Sequence, residues 1–219
     1  QANPIRIKRA QAKNNAGATG KMSTALIILA AGQGTRMNSD LPKVLHPIGG
    51  APMLVHALVS GQSLEPERVI VVAGHQAERV ADAARDFDPE VQVVVQDQQL
   101  GTGHAVQQAE EPLGEFTGDV LVLYGDVPFV RGETMRAMLD RLHAEDAPKV
   151  VVLGFEPEDA LAYGRVIADD EGRISKMVEF KDATEEERAC TLCNSGLMAA
   201  RAQDMFDLLR RVGNDNAQG

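Results

Sequence analysis

The sequence predicts an α/β fold: a mostly parallel sheet with helices on both faces, plus an antiparallel elaboration in the second half. Three observations carry this. Four short apolar runs, at residues 25–31, 68–73, 91–96 and 119–124, have the length and composition of strands buried on both faces. Each is followed by helical spacing, and β-then-α units in series build a parallel sheet. After Lys149 that alternation stops and strand-like segments follow one another.

The first run, ALIILAA, breaks into Gly32-Gln33-Gly34-Thr35 and is followed by two cations, Arg36 and Lys43. Glycines after a buried strand let backbone N–H groups approach a ligand that a Cβ would keep away. Such a turn forms a small anion-binding concavity, and nearby cations suit phosphates. A Walker A loop needs Gly-Lys-Ser/Thr, which the chain lacks. The dinucleotide fingerprint needs a third glycine where Met37 stands, and an acidic residue about twenty positions on, near Leu54, where there is none. What remains is L-A-A-G-x-G-T-R-M followed by L-P-K.

The next segment places Pro52 near the first position of a helix carrying Met53, Leu54, Ala57 and Leu58. Helices follow the later strands at 76–85, after Gly101-Thr102 through Gln108, and at 133–143. The last carries Met135, Met138, Leu139 and Leu142, a packing face. Beyond Lys149, residues 149–155 read as a strand. Residues 164–167 and 173–180 read as an antiparallel pair around the turn cluster Asp169-Asp170-Glu171-Gly172. A charged helical turn at 181–188 precedes a strand at 192–199 and an amphipathic helix.

Charge narrows the function. With 22 basic and 32 acidic residues the net charge is −10, unlike a nucleic-acid binder, whose footprint is basic. Residues 1–22 hold Arg6, Lys8, Arg9, Lys13 and Lys21 and no acid, leaving 17 basic against 32 acidic residues in the rest. That first segment has no continuous apolar core of a signal peptide and no packing period, so a disordered basic tail is expected, with the domain proper at 23–219. No stretch reaches the roughly 18 apolar residues that span a bilayer. Cys190 and Cys193 lack a second ligand pair for zinc and read as reduced thiols in strand-like sequence, which fits a cytoplasmic protein.

Ligands of parallel sheets bind beyond the carboxyl ends of the strands, and the chemistry-bearing residues fall there. Asp126, at the end of the run DVLVLY-Gly125, is the natural candidate for a Mg²⁺ ligand, since Mg²⁺ takes one or two carboxylates plus phosphate oxygens and water; a turn residue or N-cap before Val127-Pro128 is the alternative. Asp119 stands at the other end of the same strand. Gln96 with the Gly101-Thr102 backbone can offer paired donors and acceptors to a base. His46, His56, His75, His104 and His143 have no metal-ligand spacing and read as structural or surface residues.

Taken in order, LAAGQGTRMNSDLPKVLH, QLGTGHA, LYGDVP, YGRV, VEFKDAT, CNSG and NDNAQG resemble the uridyltransferase half of the bacterial bifunctional N-acetylglucosamine-1-phosphate uridyltransferase/glucosamine-1-phosphate acetyltransferases, over residues 25–219. The resemblance implies a Rossmann-like fold of the nucleotide-diphospho-sugar transferase type. It also implies transfer of uridylyl from UTP to N-acetylglucosamine-1-phosphate, giving UDP-N-acetylglucosamine, a cell-envelope precursor, and pyrophosphate. Leu29, Ala30, Ala31 and Gly32 would line the nucleotide, Arg36 and Lys43 would bind the triphosphate, and Gln96, Gly101 and Thr102 would read uracil. Tyr124, Gly125 and Asp126 would lie by ribose, sugar and Mg²⁺. Gly164, Glu179 and Asn194 would hold the sugar. The family's second Mg²⁺ ligand, an Asn, falls beyond Gly219, as do the rest of the domain and the trimerising acetyltransferase part. The domain is therefore expected to be incomplete at its carboxyl end and acetyl transfer is not expected. A sibling sugar-1-phosphate nucleotidyltransferase with another sugar or base, or a fragment that binds nucleotide without turnover, are the alternatives.

Overall fold

The computed structural model describes residues 23–32, 34, 37 and 39–212. The tail expected at 1–22, Arg36 in the first loop and the closing residues 213–219 lie outside the described residues.

In chain order the elements are β1 (Thr24–Ala30), a single 3-10 turn (Lys43–Leu45), β2 (Pro47–Ile48), β3 (Ala51–Pro52), α1 (Met53–Gln62), β4 (Arg68–Ala73), α2 (Ala77–Phe87), β5 (Gln92–Val95), α3 (Thr102–Gln107), α4 (Glu110–Leu113), β6 (Asp119–Tyr124), α5 (Gly132–Leu142), β7 (Val150–Phe155), β8 (Arg165–Ala168), β9 (Ile174–Val178), α6 (Glu185–Arg188), β10 (Cys193–Arg201) and α7 (Ala202–Leu209). Among the described residues, eight strands share one sheet in the order β5-β4-β1-β6-β10-β8-β9, with β7 also paired to β10. Strands β5, β4, β1 and β6 are parallel. β10 runs antiparallel to β6 and to β7, and β8 and β9 form the antiparallel pair read from the sequence.

The continuous apolar runs are explained by burial on two faces. Leu26, Ile28, Val71, Leu121 and Leu123 pack with Leu54 and Leu58 of α1, Val80 and Ala84 of α2, and Met135 and Met138 of α5. Their neighbours Ala25, Ile27, Leu29, Ile70, Val72, Val120 and Val122 point the other way. There they meet Ala105 and Val106 of α3, Leu113 of α4, and Met205 and Phe206 of α7. Successive side chains of a strand alternate sides, so two helical layers require every position to be apolar. The same alternation bears on one expectation: the Ala30 side chain belongs to the face of Leu26 and Ile28, is 2% exposed, and points into the core rather than toward a ligand surface.

Other boundaries shift locally. Pro52, near the start of the helix as expected, closes the two-residue strand β3 against Pro47 and immediately precedes Met53, the first helical residue. α2 begins at Ala77 because Gln76 takes the left-handed conformation (φ 54°). α4 was not anticipated; four residues are too few to show a period. Cys193 opens β10 and is buried, whereas Cys190 lies outside the strand; both thiols are free. No helix among the described residues is long and apolar enough to cross a membrane.

Candidate active site

The carboxyl ends of β1, β5 and β6 converge, because β4 and β6 flank β1 and β5 lies one strand further out. Two backbone bonds knit these ends beyond the strands: Gly125 N–H donates to the Leu29 carbonyl and Gln96 N–H to the Ala73 carbonyl, both at 2.8 Å. Above them opens a cleft of about 340 Å³, with Leu29, Gly32, Lys43, Gln96, Tyr124 and Asp126 in its wall. Ala31, Gly101 and Thr102 also line it.

Lys43 is carried by the 3-10 turn, which Val44 and Leu45 anchor in the core. Gly34 folds the preceding loop against it. Its φ is +62°, and a Cβ there would lie 2.8 Å from the Lys43 Cβ, so only glycine is tolerated. The Lys43 Nζ reaches the Asp126 Oδ2 at 2.5 Å, joining residues 83 apart in the chain. With the Lys43 side chain 43% exposed, this pair adds little stability, about 0–1 kcal/mol. It places opposite charges at the cleft mouth where a phosphate and a cation could exchange them.

Gln96 is buried, and its Nε2 donates to the Gly101 carbonyl at 3.1 Å and lies 3.0 Å from His104 Nδ1. Gln99, which the sequence reading passed over, donates from Nε2 to the Ala31 carbonyl at 2.9 Å and closes the wall between β1 and β5. A glutamine in the polar run QDQQ carries no periodic signal, so only the fold identifies it.

Tyr124 ends β6 inside the cleft. Burial pushes its hydroxyl above the ordinary tyrosine range, opposed by a hydrogen bond with Thr102 and reinforced by the charges of Asp126 and Glu179. It is therefore a neutral hydroxyl at physiological pH. Behind the ring, β10 shifts register against β7 between Asn194 and Met198. Bulges of this kind re-aim side chains beside sites. Here the Gly196 N–H donates to Asn194 Oδ1 at 2.8 Å and the Asn194 N–H to the Gly164 carbonyl at 2.9 Å. A Cβ at Gly164 would lie 3.5 Å from Glu179 Oε1. The structure thus gathers Gly164, Glu179 and Asn194 into one cluster, linked to the cleft through Tyr124 rather than lining it.

Gly196 is the pivot of that link. Its φ is +85°, and a Cβ would stand 2.6 Å from Tyr124 Cε2. Gly196→Ala is expected to cost about 1–3 kcal/mol of stability through the strained φ and the clash. It is also expected to displace the tyrosine ring. Urea unfolding measures the first effect. A variant as stable as the parent would show that ring and backbone move apart freely.

The structure brings most of the residues singled out in the sequence to one place. Lys43, Asp126, Gln96, Gly101, Thr102, Tyr124, Leu29, Ala31 and Gly32 share one wall. Gly125 supplies the bond to Leu29 behind it. Asp119 is excluded as a ligand there: it is 2% exposed and sits at the opposite end of β6, where its Oδ2 lies 2.7 Å from His143 Nε2.

Residues 26–187 match the family of MobA-like NTP transferase domains. The chain is 64% identical over 195 residues to the bifunctional protein GlmU of Novosphingobium aromaticivorans, covering 89% of this chain and 42% of that protein. It is 59% identical over 198 residues to GlmU of Ruegeria sp. strain TM1040, covering 90% and 43%. The chain therefore spans less than half the length of these relatives. Among solved structures, a UDP-glucose pyrophosphorylase complexed with UDP-glucose superposes with a TM-score of 0.70 at 21% identity, covering 89% of this chain and 83% of that one. HddC from Yersinia pseudotuberculosis, complexed with GMP-PN, gives 0.62 at 22% identity over 82% and 77%. At these identities the structures speak for the fold. With matching sequence over most of its length and the fold to go with it, the chain belongs to the MobA-like NTP transferase domain family.

Proposed function

We propose that this chain transfers a uridylyl group from UTP to N-acetylglucosamine-1-phosphate, releasing pyrophosphate and forming UDP-N-acetylglucosamine. The single observation that carries the reading is the Lys43–Asp126 pair at the mouth of a cleft walled by Gln96, Gly101 and Thr102. The 55–64% identity to proteins named GlmU supports the choice of substrates.

In this reading the base lies against Gln96 and the Gly101–Thr102 backbone, and the triphosphate runs toward Lys43. Arg36, outside the described residues, is the second cation of the loop. Lys43 leaves Asp126 for the phosphates and neutralises the charge that builds on the departing pyrophosphate. Tyr124, Gly125 and the Gly164–Glu179–Asn194 cluster hold the sugar phosphate in line. One of its phosphate oxygens then bonds to the α-phosphorus as the bond from that phosphorus to the bridging oxygen breaks. Alignment and charge neutralisation supply most of the catalysis in such transfers.

A divalent cation, Mg²⁺ by the chemistry of the donor, fits this wall. Asp126 offers one carboxylate, and no cluster of three His, Cys, Asp or Glu residues exists among the described residues, so the remaining ligands would come from phosphate and water. When bound, the cation supplies charge compensation for the phosphates. Two free thiols suit a reducing compartment, and we place the protein in the cytoplasm. Acetyl transfer and trimerisation form no part of the proposal.

The test is pyrophosphate release by the 219-residue chain with UTP, N-acetylglucosamine-1-phosphate and Mg²⁺, with and without EDTA. Metal-dependent release is expected. A folded chain that releases none, yet gains thermal stability with UDP-N-acetylglucosamine, would be a binding module. Neither release nor stabilisation would overturn the reading. A higher rate with another sugar phosphate or nucleotide would assign a sibling transferase instead.

A further inference from the structure

Histidine 104 reads from sequence as a structural residue, but the fold sets it directly behind the base-facing wall of the cleft. We infer that His104 is a positioning residue that fixes the amide of Gln96 with its Oε1 toward the cleft, and so selects a base bearing a ring N–H. The inference rests on the proposed nucleotide reading and deepens it.

The argument is a count of hydrogens. The Gly101 carbonyl can only accept, so the Gln96 atom 3.1 Å from it is the amide nitrogen. That nitrogen has a second hydrogen, and His104 Nδ1 stands 3.0 Å away. For the contact to be a bond, Nδ1 must carry a lone pair, which puts the ring proton on Nε2. His104 Nε2 faces the Gln108 amide at 3.1 Å. Gln108 also donates to the His104 carbonyl at 3.1 Å; turning its amide to accept gives up that bond, but its side chain is only partly buried, so it can move its oxygen clear and leave the carbonyl to water. Gln96, 4% exposed, cannot turn without setting its oxygen against the Gly101 carbonyl. The partly buried amide adapts and the buried one is held.

Both amide hydrogens of Gln96 are thereby spent on the protein. Its Oε1 has no partner among the described residues, in a side chain that lines the cleft. An unspent acceptor set opposite N3 of the base favours uracil, whose N3 bears a hydrogen, over cytosine, whose N3 bears a lone pair and whose N4 amino donor lies one position away. Without His104 the amide keeps only its bond to Gly101 and reorients more easily, so the discrimination weakens.

The test measures the dissociation constants of UTP and CTP for the 219-residue chain by calorimetry, in the parent, His104→Phe and His104→Asn. The parent is expected to prefer UTP by tenfold or more. His104→Phe, which removes the acceptor but keeps the bulk, should lower the CTP/UTP ratio of dissociation constants about five- to tenfold, the worth of one neutral hydrogen bond. His104→Asn, whose Oδ1 can stand where Nδ1 stood, should keep the ratio within about twofold. A merely structural role would weaken both nucleotides alike and leave the ratio unmoved. If His104→Phe does not fold, His104→Ala gives the same comparison. A parent-like ratio in the variant lacking the acceptor, or equal loss in His104→Asn and His104→Phe, overturns the role of His104 alone. A parent that binds neither nucleotide overturns the nucleotide reading together with it.

Discussion

Lys43→Ala is expected to lower kcat/KM for nucleotide transfer by about 10²–10³-fold, the usual consequence of removing one preorganised charge from a site where negative charge develops. The midpoint of thermal unfolding should move by no more than about 3 °C. The Lys43 side chain is 43% exposed and Asp126 24% exposed, so solvent screens the pair and its loss costs little stability. Activity and stability therefore separate, which is the signature of a residue kept for chemistry. Asp126→Asn should lose at least as much activity, because the carboxylate is the candidate cation ligand as well as the partner of Lys43 at 2.5 Å. The double variant should be little worse than the poorer single one, since groups acting as a unit are not additive. Initial rates of pyrophosphate release, set beside melting curves, decide the matter. If Lys43→Ala lost activity only in proportion to folded protein, the lysine would be a structural residue.

Arg165→Met is expected to have the largest effect on stability, about 3 kcal/mol, or roughly 6–12 °C in Tm. Arg165 is 2% exposed. It donates to the carbonyl oxygens of Ala160, Leu161, Tyr163 and Arg188 rather than to a carboxylate, and its Nη1 also lies 3.8 Å from the Cys193 Sγ. The Phe180 ring lies 5.4 Å from the guanidinium, with Arg188 over the same ring at 4.7 Å. A buried cation is tolerated only when every donor is used, and here the planar fork ties the loop before β8 to the end of α6. Methionine fills the volume but strands those acceptors. Leu161 and Tyr163 are exposed enough for water to reach part of the loop, which limits the loss. Arg165→Lys should recover little of it, because an ammonium lacks the geometry to reach four carbonyls at once. Since Arg165 follows Gly164 and pairs with Val178 beside Glu179, the KM for the sugar phosphate should rise in the same variants. Urea titration reads the stability term. A change under about 0.5 kcal/mol would mean that the loop finds other donors or hydrates fully.

How much of this was legible in the chain differs from residue to residue. The strands at 68–73 and 119–124 match the structure to the residue, because a continuous apolar run bounded by turn formers admits few other states. Lys43 and Asp126 were legible for a similar reason: each follows a strand end with a local signature. Gly164, Glu179 and Asn194 were named through resemblance; the β8–β9 pair sets Gly164 beside Glu179, and the contact of β10 with β8, which no local pattern announces, adds Asn194. Ala30, His104 and Gln99 show the limit most clearly. Whether Ala30 faces ligand or core depends on which helical layer covers that side of β1. Whether His104 is a bystander depends on where β5 ends relative to α3. The amino-acid sequence by itself determined the α/β class, the strands and the glycine-bearing loop after the first of them, since periodicity and turn chemistry act over a few neighbouring residues. The tertiary structure alone decided which side chains meet, as Lys43 and Asp126 do across 83 residues, because such contacts are set by strand order and register.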